Sequence, residues 1–129
     1  MDDYGGDIKM KDEKFILYVQ TSDNSERQYS PLVLAQTAKA MGLKPRLYYL
    51  GQALRILLPG AAEKIKLGTF PTVAEMLQKT MQEGIEIDVC EASKRMLGWE
   101  KINLIKGVKI VGAATLNDLA LQAAATMWF

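Results

Sequence analysis

Short apolar runs alternate with stretches of helical period along nearly the whole chain, and this alternation restricts the fold more than any other feature. FILYVQ at 15–20 is a continuous β-forming run followed by the turn-rich TSDNSE, the pattern of a strand buried on both faces. Ser30 stands as an N-cap with Pro31 at the first helical position; Leu34, Ala38 and Met41 follow on one face, and Gly42 stops the helix. RLYYL at 46–50 predicts a second strand, and Leu54, Leu57 and Leu58 after Gly51 predict a short helix broken by Pro59-Gly60. Residues 61–70 carry no readable period. Thr72 and Glu75 have the spacing of a capping box, ahead of a helix with Val73, Met76, Leu77 and Met81 on one face and its end near Gly84. IEIDV from Ile85 alternates and leads into Cys90. A short helix over 91–97 closes at Gly98, Val108–Val111 supplies a fourth strand, and residues 115–127 a last helix.

Strands that alternate with helices pair in parallel through crossovers that cover both faces of the sheet. The expected fold is therefore α/β: a three-layer α/β/α domain with a mostly parallel sheet of four to five strands. At 129 residues the chain suits one such domain, placed at 14–129, with the polar MDDYGGDIKMKDE at 1–13 as a disordered lead. That lead lacks the apolar run of a signal peptide or membrane anchor. A net charge of +1, with basic residues scattered among nearly as many acids, argues against nucleic acid as a partner. The single cysteine cannot form an internal disulfide and suits a reducing, cytoplasmic setting. Histidine is absent, which removes Ser-His and Cys-His nucleophile pairs and the commonest zinc ligand; no metal or cofactor is expected.

Reactive groups in parallel sheets gather at the carboxyl ends of strands, and Cys90 occupies such an end, immediately before a helix. Unpaired N–H groups at the helix start and the cations Lys94 and Arg95 favour its thiolate, while the adjacent Glu91 and burial oppose it. The expected balance is an acidity modestly above that of a free cysteine, which Glu91→Gln increases and Lys94→Ala decreases. The competing reading is a small buried hydrophobe, the ordinary role of a free cysteine. Other features are weaker. Gly112-Ala113-Ala114-Thr115 opens the last helix as a turn that could cradle an anion, but no G-x-G-x-x-G or Walker pattern accompanies it. Glu86 and Asp88 share a strand face, where charged pairs are more often solvated than catalytic. The last helix is apolar nearly all round: Leu116, Leu119, Ala120, Ala123, Ala124 and Met127 form one stripe, with Leu121, Ala125 and Trp128 off it. Leu121, Trp128 and Phe129 are therefore the expected oligomer interface.

The passage TVAEMLQKTMQEGIEIDVC ending on the cysteine, the following ASKRMLGW, and LIKGVKIVGAATLNDLALQAAATMWF together resemble the DsrE-like (DsrE/DsrF/TusD-type) family of small sulfur-relay proteins. With the opening FILYVQTSD the resemblance spans about residues 14–129. It implies a parallel sheet between helices and assembly into trimers, hexamers or related oligomers. It also implies a cysteine, here Cys90, that accepts sulfane sulfur as a persulfide or thiosulfonate and hands it to a partner thiol such as that of a TusA-like carrier. Having no second cysteine, this chain would use an external acceptor thiol, acting as a sulfurtransferase or sulfur carrier. The alternatives are a non-transferring scaffold subunit of such a complex and a small-molecule or nucleotide-binding module that uses the strand-end crevice.

Overall fold

The structure, a computed structural model, describes residues 14–129, so the expected disordered lead at 1–13 lies outside the described residues. Its strands are β1 (Phe15–Gln20), β2 (Lys44–Tyr49), β3 (Glu86–Cys90), β4 (Lys109–Val111) and β5 (Ala125–Trp128). They form one sheet in the order β4-β3-β2-β1-β5, every pairing parallel. The helices are α1 (Tyr29–Ala40), α2 (Val73–Gln82), α3 (Glu91–Met96) and α4 (Ala113–Gln122), with tighter 3₁₀ turns at Gly51–Leu57 and elsewhere. The result is the three-layer α/β/α arrangement that the alternation implies.

Period-2 geometry sorts each strand's side chains between the two faces. Tyr18, Leu47, Tyr49, Ile87 and Val89 point into one core with Leu32 and Ala35 of α1 and Val73 and Leu77 of α2. Their neighbours Leu17, Val19, Tyr48 and Cys90 point into a second, smaller core closed by Leu119. Leu116, Ala120 and Ala123 pack on this core half-buried, so the inward stripe of the last helix is as expected as far as it extends. Cys90 is therefore a member of the thinner core.

Several boundaries differ from the sequence reading. α1 begins at Tyr29 with Gln28 as its cap, which puts Ser30 and Pro31 inside the first turn. The Gln28 amide donates to the carbonyls of Ser22 and Asn24 at 2.8 and 2.9 Å, and this clasp brings the chain into the helix early. A proline is tolerated there because first-turn N–H groups have no intrahelical partner. Strand β2 runs two positions ahead of RLYYL, a normal displacement of an element end.

The larger correction concerns the last helix, which stops at Gln122 instead of 127. Ala123 turns extended (φ −67°, ψ 144°), and residues 125–128 become β5, in register with β1 from Ile16↔Ala125 to Val19↔Trp128. The flanking ties are Ala124 N–H to Phe15 O at 2.9 Å and Phe129 N–H to Val19 O at 2.8 Å. Alanines favour helix by a few tenths of a kcal/mol each. An open edge on β1 would leave a row of backbone groups unpaired in the sheet, and satisfying them outweighs that preference. Ala124 and Met127 accordingly leave the helical stripe.

The capping box holds: Thr72 Oγ1 accepts from Glu75 N–H at 3.1 Å, and Glu75 Oε1 accepts from Thr72 N–H at 2.8 Å. Thr72→Ala is expected to lower stability by about 1 kcal/mol, measured by urea denaturation. An unchanged midpoint would mean that packing alone holds α2.

Candidate active site at Cys90

Cys90 is the last residue of β3 and the N-cap of the six-residue α3, with φ −73° and ψ 118°. Strand alternation turns its side chain to the smaller core, where it is 6% exposed. On β4 it is in register with Val111, and Gly112, next in the chain, caps α4. On the other side lies β2, whose Tyr48 is in register with Asp88 and points to the same face. Tyr48 Oη donates to the carbonyl of Gly112 at 3.1 Å. A side chain that starts on β2 and reaches the β4–α4 junction must pass over β3, and it passes at the level of the thiol.

Ser93 supplies the second contact. It is 2% exposed and sits three residues after the cap, where a side chain on the first turn reaches back toward the N-cap. Its Oγ accepts from Gly51 N–H at 2.7 Å. Gly51 has φ +62°, a left-handed conformation that glycine adopts at little cost. This bond ties the start of α3 to the chain leaving β2. With its acceptor side occupied by Gly51, the Ser93 hydroxyl has its proton left to donate.

Burial pushes the Cys90 thiol up, but the Ser93 hydroxyl and N–H, the Tyr48 hydroxyl and the Ala92 N–H together outweigh it and bring the thiol below its ordinary value. The sulfur closes no side-chain capping bond of its own at the start of α3. The same neighbourhood acts oppositely on Tyr48: burial first, then the hydrogen bond and charge of Cys90 and the charge of Asp88, hold its phenol well above the usual range. Tyr48 is therefore a proton donor throughout the physiological range.

Of the residues singled out from the sequence, Cys90 stands at the strand end as expected. Lys94 directs its ammonium to the carbonyl of Ile102 at 2.8 Å, and Glu91 and Arg95 are exposed. The donors that lower the thiol are Ser93, Tyr48 and Ala92. The Cys90-x-x-Ser93 spacing was the available signal for the first of these; Tyr48 depends on the β2–β3 register. Leu121 and Trp128 are 84% and 54% exposed. Phe129 is half-buried on the larger core, its carbonyl accepting from Thr21 N–H at 2.8 Å and Thr21 Oγ1 at 2.7 Å.

Below the thiol, Glu86 is open to solvent but Asp88 is not, a correction to the expectation of a solvated pair. The Asp88 side chain is 1% exposed and pairs through Oδ2 with Arg46 Nη2 at 3.2 Å, while the same nitrogen meets Glu86 Oε1 at 2.9 Å. Asp88 Oδ1 and Arg46 Nε have no hydrogen-bond partner among the described residues. Burial raises the Asp88 carboxyl, and Arg46 only partly offsets it.

The profile of the DsrE/DsrF-like family matches residues 13–129. The uncharacterised protein MJ0760 of Methanocaldococcus jannaschii is 30% identical over 118 residues, 91% of this chain and 43% of that protein. The chain thus spans less than half the length of this relative. Two solved structures share the fold. The ychN protein of E. coli has a TM-score of 0.72 at 22% identity, covering 91% of this chain and 99% of its own. Protein MTH1491 of Methanobacterium thermoautotrophicum has a TM-score of 0.73 at 12% identity, covering 90% and 99%.

Proposed function

Because this chain belongs to the DsrE/DsrF-like family, we propose that it relays sulfur: Cys90 accepts sulfane sulfur, as a persulfide or thiosulfonate, and passes it to a partner thiol such as that of a TusA-like carrier. The observation that carries this reading is a thiol at a strand's carboxyl end whose acidity is raised by convergent hydrogen-bond donors. The nucleophile in sulfur exchange is the thiolate. Lys94 and Arg95, in the last turn of α3, have the role of drawing in an anionic donor such as thiosulfate. The relay works in the cytoplasm, where a free thiol persists. Among the described residues, no helix is long and apolar enough to cross a membrane.

The test is the intact mass of the protein after exposure to polysulfide, thiosulfate and tetrathionate, followed by reductant. Gain of sulfur or of a thiosulfonate on Cys90, reversed by reduction, is expected. An unmodified mass with every donor sinks the proposal.

The scaffold alternative draws on one observation, the burial of Cys90 at 6% exposure. Alkylation separates the two readings: a relay thiol reacts in the native protein, whereas a scaffold thiol reacts only after unfolding.

The reading includes self-association into a trimer or hexamer. Leu121 and Trp128 leave large apolar surface in water, worth about 25 cal/mol for each Å² removed. Light scattering at micromolar concentration is expected to show an oligomer that Leu121→Glu with Trp128→Glu reduces to a monomer. A monomeric wild type would refute this part of the reading.

A further inference from the structure

The two hydroxyls beside Cys90 have different partners. Ser93 Oγ is fixed by Gly51 N–H at 2.7 Å, so its one proton is directed by the fold. Tyr48 Oη has two acceptors within reach, the Gly112 carbonyl at 3.1 Å and the Cys90 sulfur. A neutral or sulfur-bearing Cys90 is a weak acceptor and leaves the Tyr48 proton on Gly112; a bare thiolate is a charged acceptor and draws it over. The donors therefore engage the sulfur most strongly in the sulfur-free, ionised state. From this arrangement we infer that Ser93 and Tyr48 are positioning residues that make Cys90 a good leaving thiolate, so that the site favours handing sulfur on over holding it.

The inference rests on the relay reading and concerns its second half. In loading, Cys90 Sγ⁻ attacks the outer sulfur of a persulfide donor R–S–SH. A new Sγ–S bond forms, the donor's S–S bond breaks, its electron pair leaves as R–S⁻, and the proton stays on the transferred sulfur. In discharge, an acceptor thiolate attacks that sulfur, the Sγ–S bond breaks, and the electron pair returns to Cys90. No external oxidant or reductant is needed. Stabilising the Cys90 thiolate speeds discharge because a less basic thiolate leaves faster. It slows the intrinsic attack in loading for the same reason, though it raises the fraction ionised. The two half-reactions thus respond in opposite senses once Cys90 is fully ionised.

The other ionisable groups near this pair are Asp88 on β3, with Arg46 and Lys109 beside it on β2 and β4, and Glu91, Lys94 and Arg95 on α3, of which Lys94 bonds the Ile102 carbonyl. All stay unchanged in the variants below. Ser93→Ala, Ser93→Thr and Tyr48→Phe are compared with wild type by single-turnover loading from cysteine persulfide and discharge to glutathione, followed by intact mass across pH. Alkylation profiles with iodoacetamide accompany them. For Ser93→Ala and Tyr48→Phe, discharge is expected to slow about three- to tenfold, loading at the alkaline plateau to stay equal or rise, and the alkylation profile to move alkaline. Ser93→Thr keeps the hydroxyl and is expected to stay near wild type. Equal slowing of both half-reactions, or an alkylation profile that does not move, overturns the inference, because hydroxyls that merely pack would give no split. A wild type that loads and discharges while the variants match its rates removes this inference alone. A wild type that takes no sulfur from any donor removes the relay reading and this inference with it.

Discussion

Cys90→Ser is expected to abolish sulfur uptake from every donor while leaving the fold in place. The substitution keeps the shape of the side chain, and at a residue 6% exposed in a packed core shape is what neighbouring Tyr48 and Leu119 register. A serine hydroxyl without an adjacent base is not ionised, and this chain has no histidine to serve as one. Intact-mass analysis checks the loss, and thermal denaturation checks the fold. The stability difference should itself depend on pH. The folded-state pKa of Cys90 lies below its unfolded value, so the thiolate adds stability that is fully present above the unfolded value, about 8.5, and is lost as pH falls through the folded one. Cys90→Ser should therefore cost more stability in alkaline than in neutral buffer. Sulfur retained by the serine variant would place the chemistry elsewhere in the molecule and end the role assigned to Cys90.

Arg46→Met carries the largest expected effect on stability. Removing the guanidinium leaves the Asp88 carboxylate in the sheet with Oδ1 already lacking a partner among the described residues and Oδ2 losing Arg46. Breaking a buried pair from one side costs about 3–5 kcal/mol. The Arg46 side chain is 31% exposed, so the lower end, about 3 kcal/mol, is expected. That is a large part of the 5–15 kcal/mol typical of a whole domain.

The pH dependence follows from the direction of the Asp88 shift. Its folded-state pKa is raised by burial, so the folded protein holds a proton that the unfolded chain releases. Its contribution is most favourable below the unfolded value, about 3.9, and declines as pH rises through the folded one. Losing Arg46 removes what opposes the shift and widens this window upward. The variant should thus be weakest near neutral pH and recover part of its stability in mild acid. Adding Asp88→Asn should restore stability at neutral pH, because the uncompensated charge is gone. Urea midpoints across pH measure all of this. A deficit for Arg46→Met that is the same at every pH and survives Asp88→Asn would mean that lost packing, not the stranded carboxylate, sets the cost.

Local pattern was sufficient for much of this protein. FILYVQ and IEIDVC specify strands because their apolar residues have no helical period, and Thr72 with Glu75 specifies a helix start because both halves of a capping box lie within one turn. The succession of such elements implies the layered parallel sheet, since parallel neighbours need crossovers. Cys90 at a strand end before a helix follows from the same reading. Three other features rest on contacts between segments distant in the chain. The alanines after Gln122 have helical propensity, and β5 exists because β1 offers an open edge to satisfy. Asp88 is buried because β2 brings Arg46 beside it across the sheet. Tyr48 meets the thiol because β2 and β4 flank β3, so that its hydroxyl crosses above Cys90 to Gly112. Propensity and period act over a turn or a few residues, whereas strand register and the environment of a buried charge come from partners tens of positions away. The place of Cys90 at a strand end, with Ala92 and Ser93 on the turn after it, was thus a property of the chain, whereas the Tyr48 hydroxyl was brought to it by the sheet.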